Sequence, residues 1–258
     1  MTQRAMGQTI LITGATGAIG GALAVAYAAP GVKLVLHGRN SEKLITLAER
    51  CTALGAEVRL ETLDLRDADA VLAWLIALDA QVPIDLLVIN AGMNTNIGPD
   101  GAGEEWAAVN ALLDTNLRAT MAMVHAILPG MRRRGGGQIV LLSSLAAWFG
   151  LPVTPSYCAS KAAVKVYGEA LRGWLAPEGI RVNVVMPGYV ESPMCHDMPG
   201  PKPFLWKPEL AARVIRRGLE KDKARISFPF PLNLGTWFLA VMPPALSFFF
   251  LRLFNYRG

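Results

Sequence analysis

The chain is predicted to fold as an α/β protein: a doubly wound parallel sheet in three α/β/α layers, with an apolar C-terminal appendage. Three observations predict this. Short β-branched and leucine-rich runs alternate with longer helix-period segments over the first two hundred residues. The runs are apolar throughout rather than alternating, as expected of strands covered on both faces. Each run is followed by a segment long enough for a right-handed crossover, which makes neighbouring strands parallel.

The elements follow in order. Thr9–Ile12 is the first strand. The turn Thr13-Gly14-Ala15-Thr16-Gly17-Ala18-Ile19-Gly20 opens an alanine-rich helix over 19–29, stopped by Pro30-Gly31. A second strand is expected at 33–36. Ser41 is the expected N-cap of a helix that runs to Leu54, with Gly55 as its stop. Strands follow at 57–60, Leu86–Ile89, 139–142 and 182–185, with helices at 67–78 and 156–175. Residues 191–207 are rich in Pro, Met and Gly and are expected to form a long loop. A helix resumes over 208–219, and Arg225–Phe228 is the candidate last strand.

Composition excludes several classes. With 52% hydrophobic and 17% charged residues in 258, the chain is too apolar to be disordered. Glycine shows no three-residue period, so it is not collagen-like. The net charge of +5 is unevenly placed. Residues 1–200 carry 15 basic and 17 acidic side chains, and residues 201–258 carry 10 and 3. A nucleic-acid binder with a basic face is not expected from that distribution. Cys51, Cys158 and Cys195 form no CxxC pair and no disulfide framework, which points to a reducing compartment. Residues 1–8 contain no apolar signal core, so the expected location is cytoplasmic.

The last fifth differs from the rest. No charged residue occurs from 226 to 251, and seven of the nine phenylalanines lie between 228 and 254: Phe228, Phe230, Phe238, Phe248, Phe249, Phe250 and Phe254. Basic residues flank the stretch, including Arg213, Arg217 and Arg225 before it and Arg252 and Arg257 after it. Pro229, Pro231 and Pro243-Pro244 break it into pieces too short to span a bilayer. Two readings stay open: an interfacial hairpin in peripheral contact with a membrane, or a flap that covers the substrate or another subunit.

The glycine turn has the context of a dinucleotide fingerprint, after a strand and at the start of a helix. Gly14, Gly17 and Gly20 permit the tight turn, the approach of pyrophosphate and close helix–strand packing, while Thr16 and Ile19 complete the loop. An NAD site wants an acidic residue about 20 residues further on. The second strand instead ends in His37-Gly38-Arg39-Asn40. Arg39 suits a 2′-phosphate, so NADP(H) is the expected cofactor.

Tyr157 and Lys161 stand four residues apart, on one helix face. A cation beside a phenol lowers its pKa toward the range where it exchanges protons. Ser144 precedes Tyr157 by 13 residues and closes a strand. Together with Asp64, Asn90-Ala91-Gly92, Asn116 and Pro187-Gly188, these residues resemble the short-chain dehydrogenase/reductase family in its single-domain form, from residue 8 to about 228.

The resemblance implies a Rossmann-like fold and a set of roles. Tyr157 is implied as general acid/base, and Ser144 as the hydrogen-bond partner of the reacting oxygen. Lys161 is implied to lower the pKa of Tyr157 and hold the nicotinamide ribose. Asn116 is implied to hold a helix irregularity and a water of the proton relay. Asp64 and Leu65 are implied at the adenine, and Asn90, Ala91 and Gly92 along the cofactor. Pro187, Gly188, Val190 and Ser192 are implied at the carboxamide. Departures are few: Gly17 is followed by Ala18 where the family's middle glycine is usual, a spacing shared with sugar-nucleotide-acting relatives. Ile89 replaces a common asparagine, and Ser192 a common threonine.

The chain is therefore expected to have one dinucleotide-binding and catalytic domain over 1–225, with residues 191–207 as its lid and 226–258 as a tail. The expected reaction interconverts a carbonyl and a secondary alcohol on a lipophilic small molecule, a long-chain 3-oxo lipid being the preferred example. Leu145, Trp148, Met194, Phe204 and Trp206 are the candidate substrate contacts. His37, His125 and His196 are dispersed, so no metal is expected. A homo-oligomer is implied by the resemblance. The alternatives are a catalytically silent cofactor-binding regulator, a reductase of small polar or polyketide-type ketones, and, from the glycine spacing alone, a sugar-nucleotide epimerase.

Overall fold

A computed structural model describes residues 7–98 and 100–253. The expectations for residues 1–6, Phe254 and Arg257 lie outside the described residues. Seven strands form one parallel sheet in the order β3-β2-β1-β4-β5-β6-β7. They are β1 (Thr9–Ile12), β2 (Lys33–His37), β3 (Glu57–Glu61), β4 (Leu86–Ile89), β5 (Gly137–Leu142), β6 (Ile180–Pro187) and β7 (Arg225–Phe228). The order reverses between β1 and β4, where the two crossovers leave in opposite directions. Ile12 pairs there with Leu36 on one side and Val88 on the other. Such a switch point opens a crevice beyond the carboxyl ends of the strands.

Each central strand divides its side chains between two cores. Ile10, Ile12, Leu34, Leu36 and Val88 face α1 (Ala18–Tyr27), α2 (Ser41–Ala53) and α8 (Pro208–Glu220). Leu11, Val35, Leu87, Ile89 and Leu141 face α3 (Ala68–Gln81), α5 (Ala119–Arg133) and α6 (Pro155–Leu175). This two-sided burial is why those strands show no alternation in sequence. β3 departs from that expectation: it is the sheet edge, and Glu57 and Leu60 are exposed.

Local chemistry moves several boundaries. Asn40, not Ser41, caps α2, its Oδ1 accepting from the Lys43 amide at 2.9 Å. Asp67 caps α3 by accepting from the Asp69 and Ala70 amides. Gly55, at φ +93°, turns the chain after α2. A helical run that the pattern did not single out connects β4 to β5. It comprises α4 (Trp106–Leu113), a π-helical turn (Asp114–Arg118) and α5.

Residues 191–207 are less irregular than expected. They contain the short α7 (Pro193–His196) and are tied down by a bridge between Val190 and Trp206. Beyond α8, β7 straddles residues 225 and 226 as the second sheet edge. Two further helices follow, α9 (Leu232–Val241) and α10 (Pro244–Leu253), separated by Met242 and Pro243. No helix among the described residues is long and apolar enough to cross a membrane.

Candidate active site

The glycine turn passes directly under the carboxyl end of β4. Gly14 has φ +63°, and a Cβ there would lie 2.8 Å from the Ala91 Cα. A Cβ on Gly20 would lie 2.4 Å from the Gly14 carbonyl oxygen and 2.7 Å from Asn90 Nδ2. Only hydrogen fits at either place. Asn90 fixes the turn from below, its Nδ2 donating to the carbonyls of Thr13 and Gly14 at 2.9 and 3.1 Å. Gly17 then opens α1, whose first turn has no side-chain cap and no acidic residue. Its free N–H groups and the helix dipole therefore favour an anion. The substitution of Ala18 for a usual glycine costs nothing here, because Ala18 is simply the first helical residue.

Arg39 lies exposed at the end of β2, with no hydrogen bond or ion pair among the described residues, and it lines the same crevice as Thr16. Gly38 beside it is close-packed, since a Cβ would lie 2.9 Å from Thr16 Cγ2. Asp64 also lines the crevice but spends its carboxylate on Arg66, which holds its pKa down at about 2. Leu65, Ala91 and Gly92 continue the wall toward Tyr157.

The proton-handling groups converge at the other end of that wall. Ser144 lies two residues beyond β5 in extended conformation and caps a 3₁₀ turn over Leu145–Ala147, its Oγ accepting from the Ala146 amide at 3.1 Å. Tyr157 hydrogen-bonds Ser144 from the first turn of α6. One helical turn on, Lys161 is buried, and its Nζ donates to the Leu142 carbonyl at 2.9 Å. Nζ lies 5.7 Å from the centroid of the Tyr157 ring.

The sequence expectation that Lys161 lowers the Tyr157 pKa is corrected here. Burial raises the phenol to about 12, and what opposes this is the bond to Ser144, not the ammonium. Burial also lowers Lys161 to about 8. Desolvation acts against the charged form of each group.

Asn116 sits in the π-helical turn, buried behind the cavity wall rather than in it. Its Oδ1 accepts from the Met93 amide at 2.7 Å. Its Nδ2 donates to the Met93 carbonyl at 2.9 Å and to Ser160 Oγ at 3.1 Å. The widened turn thus fastens the loop after β4 to α6. A Cβ on Gly92 would lie 3.2 Å from Asn116 Oδ1 and 3.3 Å from Lys161 Nζ, so the glycine keeps the space between them open. Sequence reasoning missed Ser160 and Met93, whose roles appear only once α6 and the β4 loop are brought together.

One continuous cavity of about 1900 Å³ joins these parts. Its lining includes Gly14, Thr16, Gly17, Ile19, Arg39, Asn40, Ser144, Tyr157 and Lys161, with Pro187, Gly188, Val190 and Ser192 on the far side. Gly20 and Asn116 support it from outside the lining. Among the expected substrate contacts, Leu145, Met194 and Phe204 line the cavity.

Trp148 and Trp206 do not line it, and their placement is corrected. Trp148 lies between Lys165 Nζ and the Arg225 guanidinium, each 4.6 Å from a ring centroid. Trp206 stacks on Phe228 at 5.1 Å, over the sheet edge. In their place the tail contributes Phe238, Leu239, Met242, Phe250 and Leu251. Gly188 lets the tail in: a Cβ there would meet Pro229 at 2.9 Å, Leu232 at 3.0 Å and Leu145 at 3.2 Å. Among the described residues no cluster of His, Cys, Asp or Glu could hold a metal ion.

The donor set fits a nicotinamide dinucleotide. It combines an uncapped helix N-terminus, a free guanidinium beside it and an amine next to a phenol at the far end. Comparison with known proteins agrees. The short chain dehydrogenase profile matches residues 8–201. An uncharacterized oxidoreductase of Myxococcus xanthus is 36% identical over 241 residues, 93% of this chain and 94% of that one. The ketoacyl reductase HetN of a Nostoc species is 34% identical over 185 residues, 71% of this chain and 64% of that one. A short-chain dehydrogenase from Sphingobium yanoikuyae, solved in complex with NADPH, superposes with a TM-score of 0.79 at 25% identity, covering 97% of this chain and 96% of that one. Sequence, fold and site therefore agree: this chain is an oxidoreductase of the short-chain dehydrogenase/reductase family.

Proposed function

We propose that the protein interconverts a carbonyl and a secondary alcohol on a lipophilic substrate, with NADP(H) as cofactor and Tyr157 as general acid/base. The observation that carries this reading is the single cavity, which has an anion-binding end at Gly17 and Arg39, Tyr157 midway and an apolar end at Phe238 and Phe250. At about 1900 Å³ it exceeds the roughly 300–1,000 Å³ of a one-ligand pocket, which leaves room for a dinucleotide and a substrate together.

When bound, the nicotinamide supplies or accepts the hydride. The chain supplies the rest. The N-terminus of α1 holds the pyrophosphate, and Arg39 pairs with the 2′-phosphate. Lys161 holds the nicotinamide ribose, and Pro187 to Ser192 hold the carboxamide. Ser144 donates to the reacting oxygen, Tyr157 gives or takes its proton, and Asn116 fixes the frame between them. Proximity and an aligned proton path are the protein's share of the catalysis. Similarity to a ketoacyl reductase and the apolar end of the cavity favour a long-chain 3-oxo acyl compound as substrate.

The test is turnover. Ketones of increasing chain length are offered with NADPH and with NADH. The expected result is kcat/KM rising with chain length and higher with NADPH; preference for NADH refutes the Arg39 role, and preference for short polar ketones refutes the lipophilic reading. Self-association is also proposed, through the exposed Met121 and Val166 on α5 and α6. Light scattering that finds only monomer would oppose it.

A further inference from the structure

The α9–α10 hairpin is apolar on both sides. Its inner side chains close the substrate end of the cavity, as described above. Its outer face exposes Trp237, Val241, Phe249 and Leu253, the last three at 57%, 60% and 66%. Leu234 and Phe238 belong to both sides: they line the cavity and are also exposed, as are Met194 and Phe204 of the lid segment. The rim of the cavity is therefore continuous with the outer apolar face.

The polar side chains of the hairpin settle what kind of partner fits. Asn233 Nδ2 donates to the Ser227 carbonyl and Oγ at 3.2 and 3.3 Å, and its Oδ1 accepts from the Leu234 amide at 2.9 Å. Thr236 Oγ1 donates to the Asn233 carbonyl at 3.2 Å. Ser247 is fully buried, and its Oγ donates to the Leu239 carbonyl at 2.8 Å, pinning the two helices together. From residue 226 to 251 these hydroxyls and amides are all spent internally, and no side chain is charged.

A protein–protein interface carries about one hydrogen bond per 100–200 Å² and needs donors and acceptors at its rim. Hydrocarbon needs none and penalises any left unpaired. Trp237 on the outer face is the residue type enriched at membrane–water interfaces. Arg252, exposed on α10 of this otherwise uncharged hairpin, complements anionic headgroups. Two ten-residue helices are each about 15 Å long, half of a hydrocarbon core of about 30 Å, so the hairpin lies in the interface rather than across it.

We infer that the α9–α10 face docks on an anionic lipid surface, and that lipophilic substrate enters the cavity from that surface between α9 and the lid, past Phe238 and Phe204. This rests on the proposed reading of the cavity as a site for a lipophilic carbonyl compound.

The experiment uses the full chain, vesicles of phosphatidylcholine with and without phosphatidylglycerol, and a variant carrying W237S, V241S and F249S, none of which lines the cavity. Wild type should co-sediment with the anionic vesicles. Each outer apolar side chain removed should reduce partitioning about tenfold. The variant should keep wild-type kcat/KM on a short, water-soluble ketone and lose activity selectively on a vesicle-embedded one. R252E, which changes two units of charge, should weaken binding to anionic vesicles about thirtyfold and leave neutral ones unaffected.

Wild type that stays in the supernatant with both vesicle types overturns the inference, as does light scattering that shows the triple variant splitting an oligomer of wild type. If the triple variant fails to fold, the wild-type and R252E arms still decide. Absence of any turnover on dispersed ketones instead counts against the reductase reading, so the two failures are distinguishable.

Discussion

Lys161 should cost the fold stability in return for its chemistry. Burial lowers its pKa from 10.5 to about 8, so at neutral pH the folded protein holds a cation where one is disfavoured. By the conversion of about 1.4 kcal/mol per pKa unit, the penalty is roughly 3 kcal/mol. Lys161→Met keeps the length of the side chain and removes the charge. It also removes the bond from Nζ to the Leu142 carbonyl, a loss of about 1 kcal/mol. The net expectation is a gain of about 2 kcal/mol near pH 7, with activity falling by orders of magnitude.

The pH dependence has a definite sign. Between about pH 8 and pH 10.5 the unfolded chain holds a proton on this amine that the folded chain has released, so wild-type stability rises with pH in that window. Other groups titrate there too, and the difference between wild type and variant isolates Lys161. Urea unfolding across that range is the assay. The stability advantage of the variant should shrink toward zero or below by the upper end of the window. A variant no more stable than wild type at pH 7, or an advantage that does not change with pH, would refute the reasoning.

Three other outcomes are expected. Asn116→Leu leaves the Met93 amide and the Met93 carbonyl without their partner, and Ser160 Oγ with only its bond to the Tyr157 carbonyl. At about 1–3 kcal/mol for each backbone group left unsatisfied it should destabilise by about 2 kcal/mol or more, read as a lowered urea midpoint. Arg39→Ala should raise the KM for NADPH by about tenfold to a hundredfold and leave that for NADH unchanged, because a charge-assisted contact contributes about 1.5–3 kcal/mol. Gly20→Ala places a methyl group against the Gly14 carbonyl and should abolish dinucleotide binding, measured by titration calorimetry.

The parts of this protein that were legible in its sequence are those whose cause is local. The central strands show as apolar runs because both faces are buried, and the glycine turn shows because Gly14 and Gly20 meet backbone that no larger residue clears. Ser144, Tyr157 and Lys161 were found from their spacing, and the structure brings them to one wall. What was missed depends on contacts between distant segments. The edge position of β3 follows from the paths of neighbouring elements. Trp148 and Trp206 read as substrate contacts in sequence, but one is held between Lys165 and Arg225 and the other stacks on Phe228. The raised pKa of Tyr157 is not legible in sequence because spacing reveals the nearby cation and not the burial of the phenol.

The central claim is that Tyr157 exchanges the proton in a hydride transfer linked to NADPH. The most direct test compares wild type with Tyr157→Phe on one long-chain ketone, following NADPH consumption, with NADPH binding measured on both proteins. The account predicts that the variant binds NADPH like wild type while kcat falls by about a hundredfold or more. A variant that binds NADPH and still turns over at the wild-type rate would contradict it.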